Sequence, residues 1–152
     1  MLNVKNVAKS VLLSLMTLFI LSSSLHAENK KYPGKNLVVF VSGSDVKQVG
    51  MGTTIAMAAS AQAGANVTII IGAGAVNYIL KGGKNSYFKP MNEPIQDVLK
   101  TAIKSGANVY LCGMCAKALN VKESDLVKGA KIVESTTIFA KVFANDTQII
   151  SF

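Results

Sequence analysis

The chain has 152 residues, 50% hydrophobic and 16% charged, with a formal net charge of +8 at pH 7 carried by lysine alone, since arginine is absent. That composition suits one globular domain of ordinary size and excludes a low-complexity or collagen-like chain. The single histidine, His26, lies near the N-terminus. Ser-His-Asp and Cys-His catalysis, and His-ligated metal sites, therefore have nothing to build on in the rest of the chain.

Taken in order, the chain opens with Lys5 and Lys9 as a basic stretch. Residues 11–21 are apolar except for Ser14 and Thr17, and residues 22–27 form a small, polar exit. This is the pattern of a secretory signal peptide over residues 1–27, cut after Ala27. Its apolar core is shorter than the roughly 20 residues that a bilayer span wants, so no stable membrane span is expected after cleavage. The mature protein is expected in the periplasm or outside the cell. Without Lys5 and Lys9 it keeps fourteen lysines against eight acids, a net charge of +6. Lys47, Lys84, Lys100, Lys128 and Lys141 are scattered, and no arginine fork is present. That argues against nucleic-acid binding and for a solvated basic surface, suited at most to an acidic partner.

Residues 28–35 are polar, contain Pro33-Gly34 and read as a short leader. Residues 36–42 are continuously apolar, as expected of a central strand buried on both faces. Residues 43–52 read as a loop, and 51–63 as a helix of small residues with Met51, Ile55, Ala58 and Ala59 on one face. Gly64 stops it. A second strand is expected over 66–71, followed by a Gly72-Ala73-Gly74 turn, a short helix over 75–80 and a loop over 81–89. Asn92, Glu93 and Pro94 mark the start of a helix. Its stripe of Ile95, Val98, Leu99, Ala102 and Ile103 predicts one buried face, and Gly106 ends it. A third strand spans 108–111. A further turn is expected within the polar residues 121–128, then a strand over 130–133. A helix over 135–145 turns Phe139, Val142 and Phe143 inward, and a last strand covers 148–152. Strands alternating with helices predict an α/β fold: a three-layer α/β/α domain over 36–152 with a mostly parallel sheet of about five strands.

Gly43-Ser44-Asp45 and Gly50-Met51-Gly52-Thr53 sit where a phosphate could bind, but they form neither a P-loop nor a G-x-G-x-x-G fingerprint. Asp45, Glu93, Asp97, Glu123 and Asp125 make no evident acid pair. Met51, Met57, Met91 and Met114 could join thiolates around Cu(I), yet a second cysteine pair is missing, and methionine more often fills a core or a pocket. No metal and no cofactor is expected.

The chemistry falls to Cys112-Gly113-Met114-Cys115, which holds the only two cysteines. A strand that hands over to a helix puts Cys112 at the strand's carboxyl end and beside a helix N-terminus. Unpaired amides and the positive end of the helix dipole favour an anion there, and a thiolate is one. In an open parallel sheet, ligands also bind at this edge. Such a thiol can carry a terminal sulfur as a persulfide, or attack a disulfide, with Cys115 one turn later on the same side to resolve it. A Cys112–Cys115 bridge would close a four-residue loop worth about 2 kcal/mol, against about 3 for a fifteen-residue loop, and is a poor staple. Three roles follow: a sulfur carrier on Cys112, a thiol–disulfide redox protein using both cysteines, or a non-enzymatic ligand-binding subunit with inert thiols.

The segment Leu111-Cys112-Gly113-Met114-Cys115-Ala116-Lys117-Ala118-Leu119, preceded by the helix 94–105 and by Gly106-Ala107-Asn108-Val109, resembles the signature of DsrE/DsrF-like proteins, relatives of the TusBCD sulfur-relay subunits. The likeness runs over residues 36–152 and includes the approach Asp125-Leu126-Val127-Lys128-Gly129-Ala130. It implies a small five-stranded α/β/α layer assembled as a homotrimer or homohexamer. It also implies a persulfide on Cys112 passed between sulfur donor and acceptor proteins or small thiols, with Cys115 matching only the members that have two cysteines. The relay members work in the cytoplasm, whereas this chain carries an export signal.

Overall fold

The computed structural model describes residues 31–152; the segment read as a signal peptide and the first residues of the leader lie outside the described residues. The main sheet has five strands, β1 (Asn36–Val41), β2 (Asn66–Ile71), β5 (Asn108–Cys112), β6 (Lys131–Val133) and β7 (Thr147–Ser151). Their order is β6-β5-β2-β1-β7, and every neighbouring pair is parallel. The chain steps from β1 through β2 and β5 to β6, then returns across the sheet to place β7 on the other side of β1. All the connections are helical, as parallel pairing requires. They are α1 (Val46–Ala61), α2 (Val76–Ile79), α3 (Ile95–Lys104), α4 (Gly113–Ala118) and α5 (Ser135–Val142). A two-residue pair, β3 (Tyr87–Phe88) and β4 (Glu93–Pro94), forms a small antiparallel hairpin before α3.

Side chains alternate across each strand. Val39, Val41, Ile69, Ile71 and Leu111 enter the main core, where α1 and α3 pack with Val49, Ala56, Val98 and Leu99. On the other face Val38 and Ile70 meet Ile138 of α5, with Phe40, Cys112, Val133 and Val142 half-buried around them. Among the described residues, one eight-residue helix packs on this second face. The carboxyl end of β5 opens there.

Several expectations need correction. Helix α1 starts at Val46, five residues earlier than expected, because Asp45 caps it by accepting a hydrogen bond from Lys47 N at 2.8 Å. Its packed face is Val49, Gly50, Gly52, Thr53, Ala56 and Ser60, whereas Met51 and Ile55 are exposed. Here the smallest side chains, not the methionine stripe, let the helix approach the sheet. Helix α5 ends at Val142 rather than Asn145, and Phe139 and Phe143 point outward, 54% and 79% exposed. Ile138 is its buried residue. The hairpin runs from the end of the expected 81–89 loop into the expected helix start and carries a hydrophobic anchor, Phe88, 3% exposed against Gly50 of α1.

Candidate functional site

Along β5, Val109 and Leu111 are buried in the main core while Tyr110 and Cys112 face the other way and are half-buried. Cys112 is the last strand residue and the N-cap of α4, with φ −57° and ψ 125°. Its side chain makes no capping hydrogen bond to the first amides of α4. It packs with Phe40 and Val133 against the second-face cluster of Val38, Ile70 and Ile138. Cys115, one turn on, belongs to the main-core side instead. A Cβ on Gly72 would lie 3.5 Å from its Sγ, so the second thiol rests against the turn that follows β2. Both cysteines are free thiols.

Two loops close the edge beside them. The Gly72-Ala73-Gly74 turn is bonded to the end of β1 through Gly72 N to Val41 O at 3.1 Å and Gly74 N to Ser42 O at 3.0 Å. Ser42 N and Gly43 N donate to the C-terminal Phe152 O, and the Tyr78 hydroxyl donates to Ser44 O at 3.0 Å. Ala73 is held at φ +43°, a left-handed conformation that L-residues adopt at a cost. A Cβ on Gly43 would meet the Gln48 side chain, 2.8 Å from its Cδ. That glycine makes room for Gln48.

Glu134 stands beside Gly113 at the same edge. The register pairs Cys112 with Val133, so Glu134 follows beside Gly113. A Cβ on Gly113 would lie 3.0 Å from Val133 O and 3.4 Å from each Glu134 carboxylate oxygen. Lys117 Nζ, one turn along α4, stands 3.4 Å from Glu134 Oε1. Among the described residues no group of three or more His, Cys, Asp or Glu side chains could hold a metal ion, and no helix is long and apolar enough to cross a membrane.

A sequence model of the DsrE/DsrF-like family matches residues 35–152. The chain belongs to this family. Its fold is similar to that of ychN protein from E. coli, with a TM-score of 0.65 and 17% identity over 78% of this chain and 99% of that one. It is also similar to MTH1491 from Methanobacterium thermoautotrophicum, a protein of unknown function (TM-score 0.61, 11% identity, 78% and 99% covered). In sequence, the uncharacterized protein MJ0989 of Methanocaldococcus jannaschii is 42% identical over 53 residues. That match takes in 35% of this chain and 46% of the relative's length.

In this DsrE/DsrF-like chain the two predicted site residues thus stand at one seam but face different layers. Cys112 lines the second face and Cys115 the main core. Of the acids that make no evident acid pair in the sequence, Asp45 and Asp125 serve as local caps. Sequence reasoning missed Glu134 and did not single out Lys117. The available signal was an acid placed directly after a strand and before a helix, at the same sheet edge as Cys112.

Proposed function

We propose that this protein is an exported sulfur carrier that holds a persulfide on Cys112 and passes it to a partner. Membership of a family associated with sulfur relay supports the reading. The observation that carries it is the half-buried free thiol of Cys112 at the N-cap of α4, at the carboxyl end of a central strand. The Cys112 thiolate attacks a sulfane sulfur of a polysulfide or protein persulfide. Its new S–S bond forms as the donor's S–S bond breaks, and the donor leaves as a thiolate or a shorter polysulfide anion. The thiol proton goes to solvent or to the leaving sulfur, so no external oxidant is consumed. Export rests on the pattern of residues 1–27.

The test is intact mass after incubation with inorganic polysulfide. Wild type and Cys115→Ser should gain one sulfur atom that dithiothreitol removes, and Cys112→Ser should not. An unchanged wild-type mass, or equal gain by Cys112→Ser, refutes the carrier.

A second reading, dithiol–disulfide cycling, is favoured by one observation: both cysteines are free and half-exposed at the same helix start. It requires a measurable two-electron couple that Cys115→Ser abolishes, whereas a carrier keeps its sulfur in that variant.

A further inference from the structure

A groove between α1 and the β3–β4 hairpin takes no part in the carrier reading. Gly50 lets the Phe88 ring lie directly on α1, and beside that contact the two elements leave a cavity of about 410 Å³. Small-molecule sites run from roughly 300 to 1,000 Å³. The lining is overwhelmingly apolar: buried Phe88, half-buried Val46, and Met51 and Tyr87, which are 48% and 52% exposed. The Tyr87 hydroxyl is already bonded to Asn92, so its ring is the part left for a ligand. Ile55, one turn beyond Met51, continues the exposed apolar surface along α1.

The charged residues of the lining are both cations, Lys47 and Lys89. The ion pairs among the described residues use Lys35, Lys100 and Lys117, so these two ammonium groups are unpaired there. Asp45, the acid nearest to Lys47 in sequence, is turned to Lys47 N at 2.8 Å. Glu93, the cross-strand neighbour of Phe88, is not in the lining. Lys47, Met51 and Ile55 stand at i, i+4 and i+8 on one side of α1, so a cation is followed by an apolar stripe that ends about 12 Å along the axis. A neutral apolar ligand would leave both lysines unused, and a compact anion would leave the apolar lining unused. A chain with one anionic end uses both.

We propose that this groove binds a free single-chain amphiphilic anion of the medium-chain carboxylate class, with its chain on Met51, Tyr87 and Phe88 and its head met by Lys47 and Lys89. Methionine is flexible enough to follow chains of different length, and lysine can lay its stem on the apolar lining while its head meets the carboxylate. The site is independent of the chemistry assigned to Cys112.

The test is an NMR titration of protein labelled at the methionine methyl groups, with decanoate as the probe and decanol and decyltrimethylammonium as neutral and cationic comparators, all kept below micelle formation. The Met51 methyl should shift saturably with decanoate, while Met114, 75% exposed on α4 and outside the groove, should not. Affinity should tighten from hexanoate to decanoate by up to about fourfold per methylene. Lys47→Gln and Lys89→Gln should each weaken decanoate about three- to fivefold at low salt, leave decanol unchanged, and lose their effect in molar salt. Met51→Glu should abolish decanoate binding. All three positions are exposed, so these variants should keep the wild-type circular dichroism spectrum. Equal shifts at Met114, tighter binding of decyltrimethylammonium than of decanoate, no dependence on chain length, or unchanged decanoate affinity in the double lysine variant overturns the proposal. So does a Met51 shift that follows protein concentration instead of decanoate, which would place a second copy on the groove. A shift with phosphatidylglycerol vesicles but none with decanoate would give the face to a membrane surface and overturns it too. Sulfur loading of Cys112 is a separate measurement, and its failure would leave this site standing.

Discussion

The turn Gly72-Ala73-Gly74 makes three neighbouring substitutions with different expected signs. At Gly74 a new Cβ would lie 2.8 Å from Ser44 Cβ, 3.0 Å from Ser44 N and 3.1 Å from Ser44 Cα. Carbon atoms prefer about 3.5–4.0 Å, so the overlap is most of an ångström. Two of the three atoms met are backbone, in a loop fixed by the Tyr78 hydroxyl on Ser44 O and by Gly74 N on Ser42 O. Overpacking of this kind costs about 1–3 kcal/mol. Reduced freedom of the unfolded chain returns about 0.4–1 kcal/mol. Gly74→Ala should therefore destabilise by about 1–2 kcal/mol, lowering Tm by roughly 3–8 °C for a chain of this size. At Gly72 the backbone is extended, and a Cβ would make ordinary contact at 3.5 Å with Cys115 Sγ. Gly72→Ala should stay within about 0.5 kcal/mol of wild type or exceed it, while slowing alkylation of Cys115. Ala73 at φ +43° carries a left-handed backbone with a Cβ, so Ala73→Gly should be neutral to stabilising by up to about 1 kcal/mol. Urea unfolding followed by circular dichroism measures all three. A Gly74→Ala protein as stable as wild type, or a Gly72→Ala protein as damaged as Gly74→Ala, would refute the packing described for this edge.

Gly50→Ala tests the contact between helix and hairpin. Helix propensity alone predicts a gain of roughly 1 kcal/mol, but the Cβ would lie on the Phe88 ring, 2.6 Å from its Cγ, so the variant should instead lose about 1–3 kcal/mol in urea. In a Phe88→Ala background the same change should become favourable. Phe143→Ser tests the outward face of α5: at 79% exposed it should cost under about 0.5 kcal/mol in the monomer, where an inward phenylalanine would cost about 3–5. Asp146→Asn keeps a residue that tolerates φ +56° and removes only the charge paired with Lys35 at 2.7 Å. Thermal unfolding at low salt should show a loss below about 1 kcal/mol that vanishes in molar salt.

Much of the fold was legible because parallel strands buried on both faces read as continuous apolar runs. Residues 66–71 were placed to the residue, and 36–42 ended one residue late. The Ile95 stripe was legible for the corresponding reason on a helix, with Ile95, Val98, Leu99 and Ala102 all fully buried. The faces of α1 and α5 were not. Helix α1 is apolar almost all round and packs through glycine, alanine and threonine, so bulk hydrophobicity pointed to Met51 and Ile55, which face solvent. In α5 the short helix offers one buried position, Ile138, and its larger phenylalanines drew the assignment to the wrong side. The β3–β4 hairpin was hidden because its two-residue strands carry no periodicity, only the anchor Phe88.

Cys112 could be placed from sequence because its environment is local: the strand it ends and the helix it starts are contiguous with it. Its neighbours are not. Gly72, Cys112 and Glu134 lie far apart along the chain, and each merely follows or ends a strand. What joins them is the order β6-β5-β2, with Ile71 beside Leu111 and Cys112 beside Val133. Parallel register then brings the carboxyl ends of three strands to one edge, so the residues leaving them are neighbours there. A reading of strands one at a time finds Cys112 but not its neighbours. The same order explains why the thiols diverge. Cys112 keeps the strand's alternation and stays on the face where α5 packs, while Cys115 has entered α4 and turns towards β2. A carrier needs the first of these positions open to a partner and asks nothing of the second. Dithiol cycling, by contrast, needs both thiols, so the two proposed readings part at Cys115.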